Sequence, residues 1–477
     1  MSDLARARSL VREAGGDALV ERLEHLDRLR VNAAPPRDAT SRLAAPDGGG
    51  AVDFDVVIAG GGLWSLLAPI LAARGLRVAI LDRARVGAAH REWNASDGEL
   101  RALVATGLVT PSELEALVVA RYRSGVCRFH GGGTYPVDGV LDCAVDAGPL
   151  LSIGRDRGAE RGVTFLDGHE VVAHAAGASR VAVRALFGDS TRELTARLLV
   201  DARGAASPHA TADLVCPTVG GTMVGLAEGD APDEVDPAIG EILATVDGIE
   251  GGRQHVWEGF PGRAGETTVY LFYYSRAGAA VSLIALYARF FATLASYKRG
   301  DARMLRPTFG LIPGWSRLSP APRAPDRRVV LVGDAAARHS PLTYCGFGAT
   351  LRSLAPSADA IERRLTTTRA GDDASIVHDA PIHALTGVLA HMMASRAFAG
   401  DELNQLLDAA FHTLHAMGNR PYAALLRDEM SVAEFVAFLR KTASRHPAVW
   451  GKVARGLGAA TVGRWGLGLA RTLVTGR

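Results

Sequence analysis

Apolar positions recur at helical spacing from the start of the chain. Leu19, Val20, Leu23, Leu26 and Leu29 stand among Arg and Glu, which predicts a helical extension over residues 1–44. The stretch Ala45-Pro-Asp-Gly-Gly-Gly50 has turn chemistry and no apolar run, so 45–51 reads as a linker. From Val52 the pattern changes to short apolar runs. Phe54–Ala59 and Leu76–Leu81 flank Gly60-Gly-Gly62 and an apolar stretch from Leu63 to Arg74, the order of a βαβ unit. Pro69 inside the expected helix predicts a kink or local unwinding there.

Further runs at Val163–Phe165, Glu170–Val172, Arg180–Arg184 and Ala196–Val200 predict strands, as do Val269–Tyr274 and Arg328–Val332. Val219-Gly-Gly-Thr-Met-Val-Gly225 reads as a loop because of its glycines, and residues 350–477 read mostly as helix. The whole predicts an α/β fold: a Rossmann-type nucleotide domain in two pieces, 52–215 and 311–370, around a β-rich substrate domain, 216–310. A helical region, 371–477, closes the chain. No internal repeat is visible.

Composition narrows the picture. With 477 residues there is enough chain for two lobes and a sizeable core. Apolar residues make up 48% and charged residues 22%, and the net charge of +2 gives no reason to expect nucleic acid. The four cysteines, Cys127, Cys143, Cys216 and Cys345, form no C-x-x-C pair, so neither a zinc site nor a disulfide framework is expected and a reducing cytoplasm fits. The fourteen histidines show no metal-ligand spacing. The N-terminus has no secretory h-region, and no run of about 18 apolar residues predicts a membrane span.

The glycine turn carries the first chemistry. Gly60-Gly61-Gly62-Leu63-Trp64-Ser65 fits G-x-G-x-x-G with serine last, between a strand and a helix. Gly60 permits the tight turn, Gly62 lets backbone approach a pyrophosphate, and Ser65 is small enough for close helix–strand packing. Asp82, 22 positions beyond Gly60, ends the second strand where a carboxylate accepts bonds from ribose hydroxyls, with Arg83 beside it. The competing reading is a glycine loop of an unrelated α/β protein, with Asp82 solvated.

Far downstream, Arg328-Val-Val-Leu-Val-Gly-Asp334 runs into His339-Ser-Pro341 and the glycines Gly346 and Gly348. This resembles the G-D segment of FAD-dependent oxidoreductases with a single nucleotide domain. The resemblance implies that Gly333 and Asp334 hold the ribityl or pyrophosphate end, and that Pro341, Gly346 and Gly348 lie along the flavin; a helix N-cap is the plainer role for Asp334. Leu198-Leu-Val-Asp-Ala-Arg-Gly204 resembles the strand by which that superfamily returns to its nucleotide domain. A second glycine unit for NADPH is absent. No histidine or cysteine is placed for a flavin linkage, so FAD is expected to be noncovalent.

A more specific resemblance lies between these segments. Arg91-Glu-Trp-Asn-Ala-Ser96, Cys216-Pro-Thr-Val-Gly220, Trp257-Glu-Gly-Phe-Pro261 and Ser340-Pro-Leu-Thr-Tyr-Cys-Gly-Phe-Gly348 resemble segments of the CruA/CruP-type lycopene cyclases. The match spans roughly Val52 to Leu351; Ala95, Asp97 and Thr343-Tyr-Cys345 depart from it. It implies a redox-neutral cyclisation of an apolar carotenoid or isoprenoid on bound reduced FAD, with Glu258 as acid or base, Glu92 as the next candidate, and Trp257, Tyr270 and Tyr273 as cation–π faces. A structural ion pair is an equal reading of Glu258. Two other functions stay open: a redox enzyme, either a monooxygenase or a reductase of prenyl double bonds, and a carotenoid-binding flavoprotein without turnover.

From Arg440 the chain carries eight basic residues and no Asp or Glu, interleaved with Val449, Trp450, Val453, Leu457, Trp465 and Leu469. That alternation predicts peripheral attachment to the inner face of an anionic membrane. The alternative is a helix packed on the body of the protein, and Gly456, Gly458, Gly463, Gly466 and Gly468 weaken helix propensity there.

Overall fold

The structure, a computed structural model, describes residues 2–31, 43–46, 50–89, 92–210, 212–316, 318, 326–336, 340–343, 345–366 and 381–475. Arg91, His339 and Tyr344, the last part of the C-terminal tail and the Glu92 side chain lie outside the described residues.

The apolar runs on either side of the glycine turn form parallel neighbours in a sheet. Phe54–Ala59 lies between Val78–Asp82 and Ser190–Asp201, and Val329–Leu331 pairs in parallel with the end of that last strand. Thr164–Asp167 extends the sheet beyond Val78–Asp82. On the other side, Val181–Phe187 and Glu170–Ala176 add antiparallel strands. Continuous apolar runs are what a parallel sheet covered on both faces requires, and Val56, Val57, Ile58 and Ala59 have no solvent exposure. The expected helix after the turn is short: Leu63–Leu66 is a 3-10 turn and Leu67–Ala72 is α-helix. Pro69 sits inside it, where its missing N–H and fixed ring disrupt the regular ladder.

A second sheet is built mainly from the middle of the chain. Its order runs from Gly300–Gly314 at one edge through Leu214–Leu226, Thr267–Phe272, Val256–Pro261 and Ile239–Ala244 to Ser124–Arg128 and Thr134–Val137. Two expectations are corrected here. Val219–Gly225 is not a loop but part of the strand Leu214–Leu226. A Cβ on Gly220 would lie 2.0 Å from the Val269 carbonyl oxygen, so glycine is what lets neighbouring strands approach. The sheet also takes Ser124–Val137 from the segment assigned to the nucleotide domain, because Ile239–Ala244 pairs in parallel with Ser124–Arg128. A small third sheet joins Glu92–Ala95, Cys143–Asp146 and Val118–Arg121.

Helices cover the second sheet on both faces. Leu283–Tyr297 packs on one, with the N-terminal helices Asp3–Gly15 and Asp17–Val31 against it in a core that includes Ala7, Val11, Leu23, Trp257 and Phe290. Asp27 fastens this pair: its carboxylate accepts from the N–H of Leu283 at 2.7 Å and from the Ser282 hydroxyl at 3.0 Å, capping the next helix. The C-terminal helices cover the other face.

Among the latter are Val449–Leu457 and Ala459–Thr475. Their apolar positions face inward. Val453, Leu457 and Trp465 belong to a core that includes Phe435 and Phe438, and Trp465 is 7% exposed. The exposed side of the tail carries mostly Gly, Ala and Arg, with Leu467 as its exposed large apolar residue. Of the side chains expected to meet a membrane, Val453, Leu457 and Trp465 are buried in the protein's own core, while Val449, Trp450, Val462 and Leu469 are partly buried against it. Among the described residues no helix is long and apolar enough to cross a membrane.

Candidate functional site

The two sheets and the glycine turns enclose a cleft of ≈ 720 Å³. It brings Gly62, Gly333, Asp334 and Gly346, from three distant parts of the sequence, onto one wall system with Glu258.

The glycine turn is shaped by close backbone approach. Gly60 has φ +116°, and a Cβ there would lie 2.4 Å from the Ala202 carbonyl oxygen. At Gly62 a Cβ would meet nothing within 4 Å, so the backbone there is open to a ligand. Gly333, at φ +57°, touches the Trp64 indole: a Cβ would lie 2.5 Å from Nε1. Trp64 therefore joins the two halves of the expected nucleotide site. Asp82 stands behind the turn, where it accepts from the N–H groups of Gly61 and Ala84, each at 2.7 Å. Ser65 is buried in the 3-10 turn, and Arg83 is exposed at the strand end. These features fit a dinucleotide: two glycine turns that only glycine satisfies, with open backbone at Gly62 and a carboxylate at Asp334.

Not every expected residue lines the cleft. Gly60, Ser65, Asp82, Arg83, Pro341 and Gly348 lie off its wall. Pro341 is buried. Gly348 packs on Glu99, whose carboxylate would lie 2.3 Å from a Cβ at that position. Glu99 caps its own helix through Ser96 and pairs with Arg352, so it supports the glycine-rich turn from beneath.

Glu258 stands in the strand Val256–Pro261, directly opposite Tyr270. Strand alternation sends Glu258 and Phe260 into the cleft and Trp257 the other way. Trp257 is 1% exposed and stacks on Tyr297 at 4.7 Å between ring centroids. Tyr273 also faces away and takes a hydrogen bond from Arg253 at 2.8 Å. Of the three expected aromatic faces, only Tyr270 lines the cleft. Trp93 and Asn94 line it too, with Trp93 5.0 Å from Phe347 between centroids.

No ion pair or hydrogen bond to the Glu258 carboxyl is formed among the described residues. It is half-buried on the cleft wall, and the protein packed around it penalises its charged form. Desolvation pushes its pKa up to about 8. The carboxyl is then mostly protonated at neutral pH, as an acid catalyst requires. Cys216 and Tyr274 stand near enough to feel its charge, and burial drives both of their own pKa values upward.

Sequence reasoning missed four contributors. Leu19, Arg22 and Leu26 of the N-terminal extension line the cleft beside Pro307 and Phe309. Asp201, without solvent exposure, binds Arg203 in a two-pronged pair (2.7 and 3.0 Å) and fixes the strand end against which Gly60 rests. Asp201 lies in the Leu198–Gly204 segment, so a buried carboxylate followed by Arg203 was a readable signal. The helix contacts depend on docking and left none. Among the described residues no group of His, Cys, Asp and Glu is arranged to hold a metal.

No protein-family model matches the chain, and no curated protein does. Solved structures share its fold. A geranylgeranyl bacteriochlorophyll reductase-like protein from Thermoplasma acidophilum superposes with a TM-score of 0.58 at 14% identity, over 84% of this chain and 99% of the other. The halogenase PltM gives 0.57 at 14%, over 85% and 94%, and has also been solved with phloroglucinol and FAD. The anhydrotetracycline hydroxylase OxyS from Streptomyces rimosus gives 0.53 at 18%, over 79% and 76%. The α/β fold with a Rossmann-type nucleotide unit is shared with these structures.

Proposed function

We propose that the chain is an FAD-dependent enzyme acting on an apolar isoprenoid or polyene, with Glu258 exchanging a proton at one of its double bonds. The observation that carries this reading is the unpartnered Glu258 carboxyl, held neutral up to about pH 8 on the cleft that Gly62, Gly333 and Asp334 also line. Gly62 and Gly346 offer backbone to FAD, while Asp334 offers a carboxylate to its polyol or phosphate end. FAD, when bound, supplies hydride transfer in its reduced form. Glu258 holds the proton. Phe260 and Tyr270 give the substrate an apolar, aromatic wall, and a ring face beside a developing cation contributes about 0.5 to 2 kcal/mol.

In the redox form of the reaction, the Glu258 proton accompanies a hydride added to a prenyl double bond. The shared fold with a reductase-like protein, a halogenase and a hydroxylase supports this class. A redox-neutral form is the second reading. It is favoured by the resemblance of Trp257–Pro261 and Ser340–Gly348 to the CruA/CruP-type cyclases, and in it the same proton starts ring closure. Product masses separate the two. Expression in a host that accumulates lycopene and shorter polyprenyl compounds, followed by chromatography and mass spectrometry, gives a product with two added hydrogens for reduction and an isomer of unchanged mass for cyclisation. An oxygenated product keeps the flavin and removes Glu258 from the chemistry. Unaltered pigments, with no consumption of reductant by the purified protein, would refute turnover.

A further inference from the structure

The glycine-rich turn Ser340–Gly348 lies on the cleft through Thr343, Cys345 and Gly346, and Ser340, Leu342 and Thr343 in it are held by bonds from outside the turn. From the second sheet, the Tyr274 hydroxyl donates to the Leu342 carbonyl at 2.5 Å. From the C-terminal helical region, Asp428 reaches the turn twice. One carboxylate oxygen accepts from the Thr343 hydroxyl at 3.1 Å and the other from the Ser340 N–H at 3.3 Å. Ser340 has no solvent exposure and Asp428 is 4% exposed, so these bonds are made away from water.

Asp428 is also one of two non-glycine residues with positive φ among the described residues, at +60°. The left-handed region costs an ordinary side chain energy and is tolerated best by Gly, Asn and Asp. Such a conformation persists where the surroundings enforce it. They do so here: the Arg427 guanidinium donates to the Gly139 carbonyl at 2.7 Å, its carbonyl takes Arg352 at 2.6 Å, and Arg427 and Arg352 both pair with Glu429. Glycine would relieve the backbone at 428, but glycine cannot reach Ser340 and Thr343.

The geometry points to Asp428 as a positioning residue that fixes the cleft-lining turn. The C-terminal helices thereby take part in the site, and the flavin-facing backbone is set by a residue 88 positions away from Ser340. That the turn faces a flavin rests on the function proposed above. That Asp428 holds the turn does not.

Two readouts keep these apart. The first is alkylation of the full-length protein by iodoacetamide, with each cysteine followed by mass spectrometry. Burial pushes the Cys345 thiol upward and Cys127 has no solvent exposure, so both react slowly in the unaltered protein. Asp428→Gly loses both bonds and is expected to speed labelling of Cys345 by about tenfold or more, tenfold being the scale of a single bond to a charged group, and to leave Cys127 slow. Asp428→Asn, which tolerates the backbone and keeps one acceptor, is expected to restore most of the protection. The second readout is FAD titration: Asp428→Gly weakens uptake and shifts the visible flavin bands, and Asp428→Asn partly restores both. Slow Cys345 labelling in Asp428→Gly would overturn the inference, as would equal acceleration at Cys127. Faster labelling of Cys345 in a protein that takes up no FAD would uphold the role of Asp428 and refute the flavin reading alone.

Discussion

The carboxylate of Asp82 accepts a 2.7 Å hydrogen bond from the backbone N–H of Gly61, which ties the end of the second strand to the middle of the glycine turn. Its other oxygen takes the N–H of Ala84 at the same distance. The turn is thus organised before any ligand arrives. Asp82→Ala is expected to weaken FAD uptake by about tenfold or more, since each bond to a charged group is worth about 1.5 to 3 kcal/mol. Asp82→Asn, with one acceptor left, should fall between. Fluorescence titration checks both, and unchanged affinity would show that the turn keeps its shape unaided.

Gly348 has no room for a side chain. A methyl group there meets the Glu99 carboxylate, itself paired with Arg352 and capping its own helix, so the neighbour cannot move without losing both contacts. Gly348→Ala is expected to cost about 1 to 3 kcal/mol of stability, the usual range for overpacking. Gly62→Ala is the control, because a Cβ there meets nothing within 4 Å. Urea unfolding of the two variants measures the difference.

Glu258 gives a pH dependence with a definite sign. Its pKa is raised in the folded protein to about 8 from 4.5, so the folded state holds a proton that the unfolded state releases. Stability therefore falls as pH rises from 4.5 toward 8, by at most about 1.4 kcal/mol per pH unit, and the loss is complete above 8. Glu258→Gln should remove that component of the slope. Activity that needs the protonated acid should fall as pH passes about 8, and the Gln variant should lose it while staying folded. Denaturation curves from pH 5 to 9 test the first statement, and a pH–rate profile the second.

Trp465 tests the packing of the tail. Its ring is buried with Phe435 and Trp450 nearby, at 6.5 Å from each between centroids. Trp465→Ala is expected to destabilise the protein by about 3 to 5 kcal/mol, as core tryptophan truncations do. Thermal unfolding reads this directly. A loss of liposome binding with stability unchanged would instead place Trp465 at a membrane.

The sequence made legible what is local. The turn Gly60–Ser65, Asp82 at the strand end and the strand before Gly333 lie within short windows, and their geometry follows from φ freedom and apolar runs. Non-local pairing was not legible. Glycines at 220, 221 and 225 look like a loop until the Val269 and Arg306 backbones press against 220 and 221. Ser124–Arg128 joins the second sheet through a parallel pairing with Ile239–Ala244 that no local pattern announces. Strand alternation already separates Trp257 from Glu258, once the segment is known to be a strand. Asp428 and the cleft-lining Leu19 and Leu26 depend on docking of remote helices, which leaves no trace in either neighbourhood.

The most direct measurement is the cofactor content of the purified full-length protein, read by absorbance and by chromatography of the acid supernatant. A dinucleotide site formed by Gly60–Gly62 and Gly333–Asp334 predicts about one FAD per chain, released by acid and lost or weakened in Asp82→Ala. A colourless protein that takes up no added FAD, while circular dichroism shows it folded, would contradict the flavin assignment.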